Sequence, residues 1–363
     1  MGEFSMSASD KVRIGVIGAG NIGNVHINGF KALPEAEVVA VTDAYRPLAE
    51  ARAKEHGIPR LYGDYREMLQ DAGIDAVVVC VPNDMHAPIA VEAMEAGKHV
   101  LLEKPMAINA DSAKQIVRTH RQTGKVLMMA HQMRWEPLNL QVKEQADKGA
   151  FGRIYNVKTG WCRRKGIPGW GTWFTQMAKS GGGPLIDIGV HMLDLSLHLM
   201  GNPKPVSVFG TTYAEFGPKK RGIGTWGKPD WNGTYDVEDL ASALIKMEDG
   251  STLTLDVSWA AHTDFVSNGP YVYLMGTEGG AALTNGKGRL FTELFDRTAD
   301  VELTVPSDDE GARSRMSRHF IECVREGKEP ITSAMSGLAN SLVLEAIYES
   351  SRTGNLVQLD WSV

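Results

Sequence analysis

Val12-Arg13-Ile14-Gly15-Val16-Ile17-Gly18-Ala19-Gly20-Asn21-Ile22-Gly23 is the stretch that decides the fold. Its first six residues read as an apolar strand bounded by glycine. Its last six are G-x-G-x-x-G, and a helical stretch follows. In that context Gly18 permits a tight turn, and Gly20 lets the backbone approach a pyrophosphate seated on the helix N-terminus. Asn21 and Ile22 stand at that N-terminus, and Gly23 permits close helix–sheet packing. An ordinary glycine turn is the alternative, and the strand–helix context weighs against it. The second strand ends at Asp43, about 20 residues on, where a carboxylate accepts hydrogen bonds from ribose hydroxyls and repels a 2′-phosphate. NAD is therefore expected over NADP. Arg46 leaves a second possibility, since an arginine can turn towards a phosphate. A solvated arginine at a helix start is its plainer reading.

Working outward, Val38–Thr42, Ala76–Val81, His99–Leu102 and Val126–Ala130 read as further strands. Ala76–Val81 is nearly all β-branched, as a strand buried on both faces should be. Between the last two strands Asn109 caps a helix with Ala113, Ile116 and Val117 on one face, and Gly124 ends it. Strand–helix alternation predicts an α/β fold with an N-terminal Rossmann domain, a doubly wound parallel sheet over residues 11–130. After His131 the texture changes. Residues 135–149 read as helix, Ile154–Trp161 as strand, Gly166–Gly183 as a Gly/Trp-rich loop, and a helix runs on to Met200. Strand patterns follow at Val206–Tyr213, Leu240–Met247, Thr252–Ala260 and Tyr271–Met275, and helical ones at Ser317–Arg325 and Ala334–Arg352. Runs of strands without helices predict a largely antiparallel open sheet in a C-terminal α/β domain over residues 131–363.

The 363 residues match about two domains, and 43% hydrophobic content suffices for packed cores. Lys+Arg 38 against Asp+Glu 44 gives a net charge of -6, which argues against general nucleic-acid binding. No apolar run approaches the ~18 residues of a membrane span. Cys80, Cys162 and Cys323 are far apart and odd in number, so a reducing compartment is the simpler expectation. Met1–Met6 lacks the basic and apolar regions of a secretory signal, and Met6 reads as the start behind a short extension. A cytoplasmic location is expected.

Two more segments carry a resemblance. Glu103-Lys104-Pro105 follows a strand, and Asp187-Ile188-Gly189-Val190-His191 lies in the second half. Together with the glycine motif, in this order, they resemble the glucose-fructose oxidoreductase, inositol dehydrogenase and rhizopine-catabolism (Gfo/Idh/MocA) family from about Val12 to the C-terminus. The resemblance implies a Rossmann domain and a C-terminal α/β domain whose open sheet commonly makes oligomer contacts. It also implies hydride transfer between nicotinamide and a sugar or cyclitol carbon. By the same resemblance Lys104, Asp187 and His191 are the catalytic candidates. The residue types fit. His191 is expected to titrate near neutral pH and to take the hydroxyl proton. Asp187, at i−4 on the same helical face, binds a substrate hydroxyl or biases the histidine. Lys104 stabilises a developing alkoxide. Taken singly, Lys104 reads equally as a surface lysine and His191 as a buried structural histidine.

Asp187, His191, Asp194 and His198 also invite a metal reading, but a straight helix spreads them over roughly 16 Å, and no metal is expected. Asp194 and His198 are instead assigned to packing and hydrogen bonding. Val81-Pro82-Asn83-Asp84-Met85-His86 leaves a strand at its carboxyl end and resembles the family segment beside the nucleotide. Asn83 and His86 are thus cofactor candidates, with loop capping as the alternative, and Glu103 joins them. Arg134 is a substrate candidate that reads equally as an interdomain structural arginine. Trp161, Trp170 and Trp173 crowd one segment, and Trp226 and Trp231 another. Flat faces with hydrogen-bonding edges suit carbohydrate rings, and tryptophans plugging an oligomer interface are the alternative. Arg163-Arg164-Lys165 is a short basic cluster that suits a substrate carboxylate, phosphate or sulfonate, with a solvated turn as the plainer reading.

The expected function is NAD-dependent oxidation of a secondary alcohol carbon in a sugar, glycoside or cyclitol by a homodimer or homotetramer. A redox-neutral glycosidase, which oxidises a ring hydroxyl transiently and eliminates the aglycone, is the alternative. A noncatalytic sugar-responsive protein is a third, and it has no need of a base.

Overall fold

The structure is a computed structural model that describes residues 11–264, 269–305 and 310–363. The reading of Met6 as the start lies outside them. The first sheet is built from β1 (Val12–Ile17), β2 (Ala36–Thr42), β3 (Arg60–Tyr62), β4 (Ala76–Val79), β5 (His99–Leu102) and β6 (Leu127–Met129). All its pairings are parallel, and the order is β3-β2-β1-β4-β5-β6. Its helices are α1 (Asn21–Lys31), α2 (Arg46–His56), α3 (Tyr65–Leu69), α4 (His86–Glu95) and α5 (Ala110–Thr123). All four residues of β4 are fully buried, as β-branched side chains between two helix layers should be. The α5 caps behave as read: Asn109 Oδ1 accepts from Ser112 N at 2.8 Å, and Gly124 takes a left-handed φ of 64°.

The rest comprises α6 (Pro137–Asp147), β7 (Ile154–Cys162), α7 (Met177–Ser180), α8 (Val190–Leu199), β8 (Pro205–Tyr213), β9 (Leu240–Met247) and β10 (Thr252–Ser258). Then come β11 (Pro270–Gly276), β12 (Gly280–Thr284), β13 (Lys287–Leu294), β14 (Arg297–Leu303), α9 (Ala312–Glu326), α10 (Ala334–Thr353) and β15 (Val357–Gln358). The nine-stranded second sheet runs β14-β13-β12-β11-β7-β10-β9-β8-β15, antiparallel except for the parallel pair β7–β10. Helix α8 covers one face, packing Leu193 and Leu197 with Val157, Leu255 and Val257. The other face leaves Phe209 and its cross-strand neighbour Leu244 half exposed.

The chain end returns to the first sheet. Met316 and Phe320 of α9 join its core beside α1, while α10 gives Leu338 and Leu342 to one core and Val343 and Ile347 to the other. Strands β3 and β12–β15 were not foreseen. β3 and β15 are very short, and β13 and β14 are polar and largely exposed, so no hydrophobic period marks them. One local signal existed. Asn285-Gly286, both at positive φ, closes the β12–β13 hairpin.

Candidate active site

The order of the first sheet reverses between β1 and β4, and open α/β sheets bind ligands outside the carboxyl ends of strands at such a point. The turn after β1 shows why its glycines are glycines. Gly18 has φ +99°, and a Cβ there would stand 2.2 Å from the Cys80 carbonyl oxygen. A Cβ on Gly23 would stand 2.0 Å from Gly18 O, so helix α1 packs directly on the turn. At Gly20 the same atom would meet nothing within 4 Å. The backbone there faces open space at the N-terminus of α1, whose cap Gly20 offers no side chain to its N–H groups. Asn21 and Ile22 form the first helical positions. Asp43 Oδ2 accepts from Ala19 N and Oδ1 from Tyr45 N, both at 2.7 Å, which fixes the half-exposed carboxylate beside the turn. Arg46 is turned away to Glu50 at 2.9 Å. An open backbone approach, a helix N-terminus and a fixed carboxylate fit the pyrophosphate and ribose of NAD.

Strand β5 ends at Glu103-Lys104. Lys104 Nζ donates to Asp187 O at 3.0 Å and to Asp187 Oδ1 at 3.3 Å. Trp259 Nε1 donates to Asp187 Oδ2 at 3.1 Å. The pair is partly open, with side-chain exposures of 18% for Lys104 and 20% for Asp187. Asp187 lies in a π-helical turn, Leu185–Gly189, ahead of α8, so it does not continue the face of an ideal α-helix to His191 as expected. That turn is anchored by Glu238, whose carboxylate accepts from Gly183 N at 2.9 Å and Leu185 N at 3.0 Å, with the Tyr348 hydroxyl donating to it.

His191 is buried, its ring 6.4 Å from that of Trp161. Its Nδ1 has no partner among the described residues. Burial, then the Lys104 ammonium and His131, push its pKa well below the ordinary histidine value. The expectation of titration near neutral pH is therefore corrected: the imidazole is neutral there, an acceptor without prior deprotonation. Asp187 is held by Lys104 and Trp259 rather than by the imidazole.

Several other candidates lie elsewhere than expected. Arg134 is 2% exposed and grips Asp194 through two bonds of 2.6 and 2.7 Å, with Ile331 O at 2.8 Å and His198 beside it. Its forked geometry is consumed by a buried carboxylate, so it is not on the substrate side. Asp194 and His198 serve packing and hydrogen bonding, as assigned. Trp170 is also corrected: it is buried in the core, donates to Gly217 O at 2.8 Å and stacks on Trp231 and Tyr235. The ring nitrogens of His86 lie 2.7 Å from Pro105 O and 2.9 Å from Val81 O, and the neutral ring donates to one of these two loop carbonyls. Asn83 Nδ2 donates to Ser180 O at 2.8 Å, joining the first sheet's loop to α7. Glu103 is buried against His26 Nε2 at 2.8 Å and ties β5 to α1. Burial alone would raise its carboxyl, but His26, Arg313 and Lys104 hold it well below the carboxylate range. Trp173 is partly exposed and packs on Phe174, which meets Trp226 edge-on.

Trp259, Glu238 and His26 were missed. No motif marks them. They acquire roles because β10 pairs in register beside β7 and because α1 crosses the end of β5. Among the described residues no group of three or more His, Cys, Asp or Glu is placed to hold a metal ion, and no helix is long and apolar enough to cross a membrane.

Residues 12–131 match the model of an oxidoreductase family with an NAD-binding Rossmann fold, and residues 139–282 match the GFO/IDH/MocA C-terminal domain. The chain is 34% identical to the D-glucoside 3-dehydrogenase of Escherichia coli (strain K12), over 98% of this chain and 99% of that one. It is 29% identical to the scyllo-inositol 2-dehydrogenase (NAD(+)) of Bacillus subtilis (strain 168), over 96% and 97%. Levoglucosan dehydrogenase, solved with NADH and levoglucosan, shares the fold with a TM-score of 0.86 at 22% identity, over 96% of this chain and 99% of that one.

Proposed function

Because the chain belongs to the GFO/IDH/MocA family of NAD-binding oxidoreductases, we propose that it oxidises a secondary alcohol carbon of a sugar, glycoside or cyclitol. Residues 11–130 hold the cofactor and residues 131–363 the substrate. The observation that carries this reading is the partly open Lys104–Asp187 pair beside a buried, neutral His191. When bound, NAD supplies the hydride acceptor. His191 accepts the hydroxyl proton at Nε2, its other nitrogen being buried. Lys104 faces the developing alkoxide with a fixed positive charge. Asp187, immobilised by Lys104 and Trp259, receives a neighbouring hydroxyl. Trp161, whose ring neighbours that of His191, flanks the sugar ring.

The relatives named above act, by their names, on glucosides and inositols, which supports the substrate class. The half-exposed apolar pair Phe209 and Leu244 on the uncovered sheet face supports a homodimer or homotetramer. We place the protein in the cytoplasm, where its three free cysteines stay reduced.

The test is a panel of free sugars, glycosides and inositols with NAD, read by nicotinamide absorbance and product identity. One NADH per turnover with intact glycosidic bonds is expected. Bond cleavage with catalytic NAD and no net NADH would instead mean a redox-neutral glycosidase. His191→Ala should lower kcat by about 10²–10⁴-fold with NADH affinity unchanged, and near-normal turnover would remove His191 from the mechanism.

A further inference from the structure

The basic cluster Arg163-Arg164-Lys165 divides in the folded protein. Arg164 and Lys165 are exposed, as a solvated turn requires, but Arg163 is not. Its backbone is locked to β10: Arg163 N donates to Ser258 O at 2.9 Å, next to Trp259. Its guanidinium lies over the Trp161 ring at 4.8 Å, and the same ring is the neighbour of His191 at 6.4 Å. Apart from that ring contact, no side-chain hydrogen bond or ion pair engages the guanidinium among the described residues. Other half-buried or buried arginines here are paired: Arg134 with Asp194, and Arg52 with Glu55. Asp187 acts on Arg163 through its charge but is not hydrogen-bonded to it; its oxygens accept from Lys104 and Trp259.

Burial lowers the Arg163 pKa, and the Asp187 charge acts against that shift, so the group is partly desolvated and within the field of the catalytic carboxylate. Its N–H donors still reach solvent, so a ligand can take the place of water on them. Its planar geometry matches two adjacent oxygens.

We propose that Arg163 is a specificity-determining residue: its guanidinium, carried on Trp161, donates to a pair of oxygens on the substrate and so selects which secondary carbon lies against His191. This rests on the sugar-oxidation reading above. The acceptor pair is either two vicinal hydroxyls or a carboxylate, and the test separates them.

Wild type, Arg163→Gln and Arg163→Lys are compared on a neutral glycoside, methyl glucoside, and on a carboxylate sugar, glucuronate. For the better substrate, Arg163→Gln should raise KM by about 10–100-fold, the worth of a charge-assisted bond, and by more than kcat falls. NADH affinity should be unchanged. Arg163→Lys, which keeps the charge but loses the fork, should recover only part of the loss. Equal losses on both substrates identify vicinal hydroxyls. A loss confined to glucuronate identifies a carboxylate. A wild-type KM and an unchanged site of oxidation in Arg163→Gln overturn the proposal. If no sugar reduces NAD, the sugar-oxidation reading fails by itself. Arg163 is then judged by calorimetric titration of the NADH-bound protein with the same two sugars. Heat seen in wild type and lost in Arg163→Gln supports the assignment, and heat that is equal in both, or absent from wild type, overturns it.

Discussion

Two glycines of the turn after β1, Gly20 and Gly23, separate cofactor binding from folding. At Gly20 the backbone has φ -64° and ψ -168°, which alanine tolerates, and its Cβ would meet nothing within 4 Å. Gly20→Ala should therefore fold normally. The gain of about 0.4–1 kcal/mol from restricting the unfolded chain is offset by a loss of similar size because alanine is a poorer N-cap than glycine, so the cofactor-free Tm should stay within a few degrees of wild type. The same methyl stands where a pyrophosphate oxygen must approach the backbone. Losing one charge-assisted hydrogen bond there costs about 1.5–3 kcal/mol, or ~10–150-fold in the Kd for NADH. Gly23→Ala is the mirror case. Its Cβ would lie 2.0 Å from Gly18 O, so α1 must lift off the turn. Overpacking of that kind costs about 1–3 kcal/mol, and Tm should fall by several degrees. Differential scanning fluorimetry of the cofactor-free proteins and calorimetric titration with NADH measure both quantities. NADH binding by Gly20→Ala within twofold of wild type would refute the assignment of the turn to the pyrophosphate. A marked drop in its cofactor-free Tm would refute the open space at Gly20.

Asp43→Ala should weaken both dinucleotides, since Ala19 and Tyr45 lose their acceptor, but should narrow the NAD-over-NADP preference by at least about tenfold through lost repulsion of the 2′-phosphate. An unchanged ratio of dissociation constants would show that Asp43 does not select the cofactor. Arg134→Met strands the buried Asp194 carboxylate and should cost about 3–5 kcal/mol in urea unfolding, whereas Arg134→Met with Asp194→Leu should recover most of it; equal stability of the two variants would contradict the buried-pair account. His86, His131, His191 and His198 all have pKa values lowered first by burial. Each takes up a proton on unfolding below the unfolded value of about 6.5, so their contribution is present above that pH and lost as pH falls through it. Urea midpoints should hold between pH 7.5 and 7 and drop between pH 6.5 and 5; a flat profile over the lower range would show that these histidines are not buried neutral.

Local patterns were enough to place the Rossmann half and to find the catalytic candidates. β1 with its glycines, the β-branched β4 and the capped α5 each carry their instruction within about ten residues, because turn geometry, burial on two faces and helix capping are short-range effects. Lys104, Asp187 and His191 were legible as residue types in order. What they touch was not. Arg134 lies in the turn that follows β6 but is spent on Asp194, 60 residues away. Trp170 and Trp161 share a segment and a chemistry, yet one seals the core while the other borders His191. Trp259 and Glu238 carry no motif, and they meet Asp187 and its turn only because β10 lies beside β7 and α10 brings Tyr348 across the sheet. The sequence by itself determined the strongly patterned elements, the cofactor turn and the family of chemistry, while the short or polar strands β3 and β12–β15 carried no readable period. The tertiary structure alone decided which polar groups are consumed by one another, like Arg134 and Asp194, and which, like Arg163, have no ion-pair partner among the described residues, since hydrogen-bond partners and desolvation depend on neighbours far apart in the chain.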